Sequence, residues 1–210
     1  HPGDIVDIQF DYPAFLANTD KKVVAIGWWL RKLSSIYILP THRCRYVKYS
    51  KCRTLPYEEG SVPIKDMLDP LLEREIQEIS AQETIHEYSR LAPVTTHYKL
   101  SNLEYDLLLS KNIGFIDVWD SSANNTVIEC IVRSTPLLAC RHPAIVEYLG
   151  PDYPMYFDDL EHAVSMLNDL ELIRRTNEYM KTRQEFVSGD RFIRSIMSSD
   201  IVNNIREKYL

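Results

Sequence analysis

The sequence predicts an α/β fold: a single Rossmann-like parallel sheet with helices on both faces and extra C-terminal helices. Three observations support this. Short apolar runs alternate with helical stretches across short loops, the order that parallel strands with crossover helices require. The run Lys22–Gly27 is continuously apolar after its first residue, as a strand buried on both faces would be. From Leu170 onward the pattern is helical only.

The elements follow in order. The Lys22–Gly27 strand leads through Trp28-Trp29-Leu30-Arg31-Lys32 into a short helix toward Ile38, stopped by Pro40. Cys44–Ser50 has strand character. Residues 53–64 carry Pro56, Gly60 and Pro63 and predict a loop. Asp66 to about Gln82 repeats apolar residues at helical spacing. Pro93–Tyr98 is β-branched and aromatic, hence a strand. Ser101 and Glu104 form a capping box opening a helix to about Ser110. Then come a strand at Asn112–Val118, a helix at 125–133 and a strand at Pro136–Cys140. A helix over Ala144–Leu149, a strand at Tyr153–Phe157 and a helix near Glu161–Leu170, capped by Asp158 or Asp159, complete the sheet region. Helices at 171–187, 190–198 and 201–208 close the chain.

A chain of 210 residues fits one large domain or one domain with a short extension. A net charge of −6 argues against nucleic acid as a partner, because phosphate-backbone binding needs a basic face. Cys44, Cys52, Cys130 and Cys140 form no C-x-x-C pair, so a zinc site is not expected; Cys130 and Cys140 read as buried thiols. Reduced thiols and the lack of a visible signal peptide lead to a cytoplasmic expectation. No run of 18 apolar residues occurs to span a membrane. The first residues, His1-Pro2-Gly3, lack Met and suggest a piece of something longer.

Ligands of doubly wound sheets bind beyond the carboxyl ends of the strands. There this chain places Gly27, Arg31 and Lys32, then Asp120, Ser121, Ser122, Asn124 and Asn125, then Arg141, His142 and Pro143. A helix starting near Asn125 would offer free N–H groups and a positive dipole end to phosphate. Glu129, one turn further along the same side, would accept hydrogen bonds from sugar hydroxyls. Together these describe a nucleotide or nucleotide sugar. The structural alternatives are solvated charges at Arg31 and Lys32, a plain helix cap at Asn125, and an ion pair from Glu129 to Arg133 at i,i+4. Trp28 and Trp29 read as core or interface packing ahead of a base-stacking platform. No G-x-G-x-x-G, P-loop or G-x-S-x-G motif occurs, against a Rossmann dehydrogenase, a P-loop NTPase and an α/β-hydrolase.

The segments Ala25-Ile26-Gly27-Trp28-Trp29-Leu30-Arg31-Lys32, Leu103–Ser110, Ala123–Cys130 and Glu147–Pro154 resemble the C-terminal, donor-binding half of GT-B-type glycosyltransferases, over about Lys21 to Gln184. The resemblance implies that Glu129 takes the donor ribose and that Arg31 and Lys32 neutralise the donor diphosphate. It implies that the Thr126–Pro136 region, acidic helix and Thr-Pro turn together, holds ribose and phosphates. Gly27, Ser122, Asn125, Thr126 and His142 complete the implied donor site. The chain differs at Ser121, where retaining members often carry Glu, at Gly27-Trp28 and at Arg141-His142-Pro143.

The implied organisation is a linker from a missing N-terminal acceptor domain at 1–20, a nucleotide-sugar-binding domain at 21–170, and C-terminal helices at 171–210. The implied activity is transfer of a sugar to a glycan or other acceptor, from a nucleotide-diphosphate sugar and without a metal. The alternative is a non-catalytic α/β module that binds a nucleotide sugar or a protein partner.

Overall fold

The computed structural model describes residues 6–55, 64–80, 93–121 and 124–209. Six parallel strands form one sheet: β1 (Lys21–Ile26), β2 (Tyr49–Leu55), β3 (Val94–Tyr98), β4 (Ile113–Ile116), β5 (Leu137–Cys140) and β6 (Tyr156–Phe157). Their spatial order is β3-β2-β1-β4-β5-β6, the doubly wound arrangement that changes direction between β1 and β4. There Val23, Val24 and Ala25 pair with Ile113, Gly114 and Phe115. The helices are α1 (Tyr12–Ala17), α2 (Ser35–Ile38), α3 (Ile64–Ser80), α4 (Asn102–Leu109), α5 (Asn125–Val132), α6 (Pro143–Leu149), α7 (Leu160–Leu167), α8 (Leu170–Val187), α9 (Gly189–Met197) and α10 (Asp200–Tyr209). No described helix is long and apolar enough to cross a membrane.

The expected α/β class, parallel sheet and C-terminal helices are present. So is the capping box: Ser101 accepts from the Glu104 amide while Glu104 accepts from the Ser101 amide. Two strands lie elsewhere than expected. The strand expected at Cys44–Ser50 runs from Tyr49 to Leu55, because Lys51 and Arg53 turn inward and break the apolar pattern. Residues 44–48 instead form a surface connection, with Tyr46 fully outward. The strand expected from Tyr153 is confined to Tyr156–Phe157, because turns at 151–152 and 154–155 precede it; the buried Tyr153 hydroxyl bonds the Leu137 N–H and C=O at 2.8 and 2.7 Å. Most of the loop expected at 53–64 lies outside the described residues.

The first described residues take part in the core. Phe10 and Phe15 are buried, and the Phe10 amide donates to the Arg133 carbonyl at 2.7 Å. Asp11 caps α1 by accepting from the Ala14 amide at 3.0 Å. At the other end, α8 packs across α5 and α6. Beyond it, α9 buries no side chain and leaves Phe192, Ile193, Ile196 and Met197 exposed.

Gly114 shows how tightly α5 sits on the sheet. A Cβ there would come within 2.8 Å of Leu137 Cδ1 and 3.1 Å of Cys130 Sγ. A larger side chain would push α5 off the strands, so Gly114→Val is expected to cost about 1–3 kcal/mol in chemical denaturation.

Lys51 is the unusual buried charge. Its Nζ donates to the carbonyls of Tyr37 (2.6 Å) and Leu39 (3.4 Å) and meets no carboxylate among the described residues. Burial lowers its pKa to about 8. The unfolded chain holds that proton to about pH 10.4. Between these values the unfolded state binds more protons, so this contribution to stability rises with pH. Urea unfolding of wild type and Lys51→Met from pH 7 to 10 should show wild type gaining relative to the variant across that window. A pH-independent difference would mean that Lys51 titrates normally.

Candidate functional site

The exchange of direction between β1 and β4 leaves a crevice at their carboxyl ends. It is a cleft of about 700 Å³ whose lining includes Gly27, Trp28, Trp29, Arg31, Lys99, Leu100, Tyr105, Asp120, Asn125, Thr126 and Glu129. The loop after β1 is folded back against the segment after β4: Arg31 and Val118 form an antiparallel bridge, and the Lys32 amide donates to the Asp117 carbonyl at 3.0 Å. The turn uses left-handed backbone at Gly27 (φ +76°) and at Leu30 (φ +57°). A left-handed leucine is strained, and it is stabilised here by the Trp119 amide donating to the Leu30 carbonyl at 3.0 Å.

Arg31 is the centre of the cleft. Its Nε donates to the Ile26 carbonyl (3.3 Å), and its Nη2 to Asn124 Oδ1 (3.2 Å) and Thr126 Oγ1 (3.0 Å). All three acceptors are neutral, and no carboxylate pairs with it among the described residues. Burial lowers its pKa from the usual value, while nearby Cys140 and Glu129 oppose the shift. A guanidinium nevertheless stays protonated, so Arg31 is a fixed cation whose Nη1 group has no hydrogen-bond partner among the described residues.

The start of α5 lies against this cation. Asn124 occupies the cap position but makes no side-chain cap, because its Oδ1 serves Arg31 and its Nδ2 donates to Ser121 Oγ at 2.9 Å. The amides of Asn125 and Thr126 therefore have no hydrogen-bond partner among the described residues. Asn125 is thus the first helical residue and not the cap, and its side chain is exposed in the cleft lining.

Glu129 lines the same cleft and accepts a short hydrogen bond from the Tyr105 hydroxyl. The Glu129–Arg133 ion pair is absent. Arg133 gives Nε and Nη2 to Asp106 at 2.8 and 2.6 Å, and gives Nη1 only to the Glu129 backbone carbonyl at 3.0 Å. Burial, and next the Glu129 charge, hold the Tyr105 phenol well above its ordinary pKa.

Gly27, Arg31, Asn125, Thr126 and Glu129 are therefore brought together as the sequence suggested. Other expected residues are placed differently. Lys32 turns away to pair with Asp117 at 3.1 Å and to sit over the Trp119 ring, so the basic pair is divided. His142 caps α6 by accepting from the Ala144 amide at 3.3 Å, and its Nε2 lies 3.4 Å from Asp120 at the rim. The Thr135-Pro136 turn precedes β5, at the edge of the sheet opposite the cleft. Thr135 is buried there, donating to the Leu109 carbonyl at 3.0 Å, and cannot hold a ligand in the cleft. Trp29 is not core, being 66% exposed at the rim, with the Trp28 ring perpendicular to it. Ser122 lies outside the described residues. Sequence reasoning missed Tyr105, Lys99 and Leu100; nothing in their spacing marks them, since they reach the cleft from a different crossover. Among the described residues no three His, Cys, Asp or Glu side chains group as metal ligands.

No protein-family model and no curated protein sequence matches this chain. Solved structures match it in fold. An α,α-trehalose-phosphate synthase (UDP-forming) from Burkholderia xenovorans, in complex with glucose-6-phosphate, superposes with a TM-score of 0.58 at 14% identity. That match covers 89% of this chain and 45% of the synthase, so the chain spans under half of that protein's length. The E. coli trehalose-6-phosphate structure bound with UDP-2-fluoro glucose gives 0.57 at 12% identity, over 90% of this chain and 46% of that one. Accessory secretory proteins 1, 2 and 3 of Streptococcus pneumoniae give 0.53 at 10% identity, over 95% and 37%. At these identities the likeness is one of fold. It shows the resemblance to one half of the GT-B glycosyltransferase architecture.

Arg31, which meets no carboxylate among the described residues, beside a helix start without a side-chain cap leads to a direct test. Pyrophosphate at millimolar concentration should raise the unfolding temperature through preferential binding to the native state. In Arg31→Met the gain should disappear. An equal gain in both proteins would place anion binding elsewhere.

Proposed function

We propose that this chain is the donor-binding half of a glycosyltransferase and that its cleft holds a nucleotide-diphosphate sugar. One observation carries the reading: a cation that among the described residues is held by neutral acceptors alone lies at the start of a helix, one turn from a carboxylate lining the same cleft. The cation and free amides suit phosphate oxygens. The carboxylate, an acceptor only, suits sugar hydroxyls. A nucleotide carries both groups at about the separation of one helical turn. The GT-B-like fold supports the same reading.

In this proposal Arg31 and the start of α5 neutralise the diphosphate without a metal, and Glu129 takes the ribose. Asp120, Ser121 and Trp29 border the side on which the sugar would lie. Residues 21–170 would form the donor domain and 171–210 its C-terminal helices. A glycan acceptor and an acceptor-binding N-terminal domain belong to the proposal, as does a cytoplasmic location.

Calorimetric titration of UDP-, GDP- and dTDP-sugars tests the reading; no binding by any of them ends it. With the donor that binds, Glu129→Gln should weaken affinity by about 1–3 kcal/mol, the scale for losing a hydrogen bond to a charged group. Unchanged affinity would remove Glu129 from the site, and loss of binding on chelation would show that a metal is needed.

The 210-residue chain alone is expected to bind donor but not to transfer sugar. Holding donor, acceptor and base in near-attack geometry is worth up to about 7–11 kcal/mol, and this cleft supplies only the donor's share. Release of labelled sugar to an acceptor panel checks this, and robust transfer would show a complete enzyme.

A further inference from the structure

Glu129 needs an anchor to be useful in the cleft, since a free glutamate samples several rotamers. Arg133, its neighbour at i+4, does not provide one, because its side chain is committed to Asp106. The anchor comes from another helix. Tyr105 of α4 donates its hydroxyl to Glu129 Oε2. The Tyr105 ring is itself fixed by the Arg133 guanidinium, which lies 5.1 Å from its centroid. Arg133 is held in turn by Asp106 and by the Glu129 carbonyl. The circuit leaves Glu129 Oε1 without a donor among the described residues.

We infer that Tyr105 is a positioning residue. It fixes the Glu129 carboxylate so that Oε1 is available to hydroxyls of the ligand's sugar ring. A phenol has one proton to give, so it engages one carboxylate oxygen and leaves the other for the ligand. The inference rests on the nucleotide reading above and adds a consequence: discrimination between ribose and 2′-deoxyribose depends on a residue that need not touch the nucleotide.

The test compares Tyr105→Phe, Glu129→Gln and the double variant. Phe keeps the ring beneath Arg133, and thermal melts confirm folding. Each protein is titrated with UDP, GDP, ADP and their 2′-deoxy forms. Tyr105→Phe should weaken ribonucleotide binding about tenfold, an effect of about 1.4 kcal/mol. It should narrow the ribose-to-deoxyribose ratio and add little to Glu129→Gln, as coupled residues do. Equal affinity in wild type and Tyr105→Phe, or losses that add fully, would overturn the inference. If wild type binds no nucleotide, the functional reading fails by itself. Crystal structures then decide the role of Tyr105: a Glu129 carboxylate ordered in wild type and spread over rotamers in Tyr105→Phe supports it, and an unmoved carboxylate refutes it.

Discussion

The site depends on how closely α5 can approach the sheet where the strand order changes direction. The approach requires Gly114, because any side chain there would meet Leu137 and Cys130. It brings Thr126 within reach of Arg31 and of the Ile26 carbonyl, joining the first crossover to the fourth strand's loop. Gly27 answers a different need: its φ of +76° is backbone that L side chains rarely adopt, whereas a Cβ there would meet Arg31 Nη2 and Thr126 Oγ1 at an ordinary 3.7 Å. The crevice is thus a product of backbone packing, with its cation on the loop after β1 and its carboxylate on α5.

Charge is distributed with a clear logic. Lys32 and Arg133 each have a carboxylate partner, Asp117 and Asp106, and act as structural ties. Among the described residues Arg31 has only neutral partners, which orient it without cancelling its charge. Leaving a partly buried cation uncompensated costs stability, a cost that an anionic ligand would offset. Among the described residues Lys51 is also held by carbonyls alone, but it lies away from the cleft lining, and there burial lowers its pKa.

Much of this was legible in the sequence. Strand–helix alternation identified the parallel sheet, and the rim loops followed from strand direction alone. The Glu129 position was legible because a carboxylate interrupts an apolar helix. What local pattern could not show was partner choice. Whether Arg133 would bond Glu129 or Asp106 depends on α4 packing beside α5, a contact between residues 27 apart in sequence. The division of Arg31 from Lys32 likewise depends on Asp117 arriving from β4. The displaced second strand has a different cause: two inward cations hid a buried run from a reading based on hydropathy.

The two ends of the cleft make opposite demands. At Arg31 and the start of α5 the protein offers a cation and two backbone amides that have no partner among the described residues. At Glu129 it offers a carboxylate whose one donor among the described residues, Tyr105, is spent on Oε2. Asn125 and Glu129 are four residues apart on one helix, hence about 6 Å along its axis. Inorganic phosphate would satisfy the first end and repel the second. A neutral sugar would satisfy the second and leave the cation uncompensated. Only a ligand that carries an anion and hydroxyls at that separation meets both, and a phosphorylated ribose has this form.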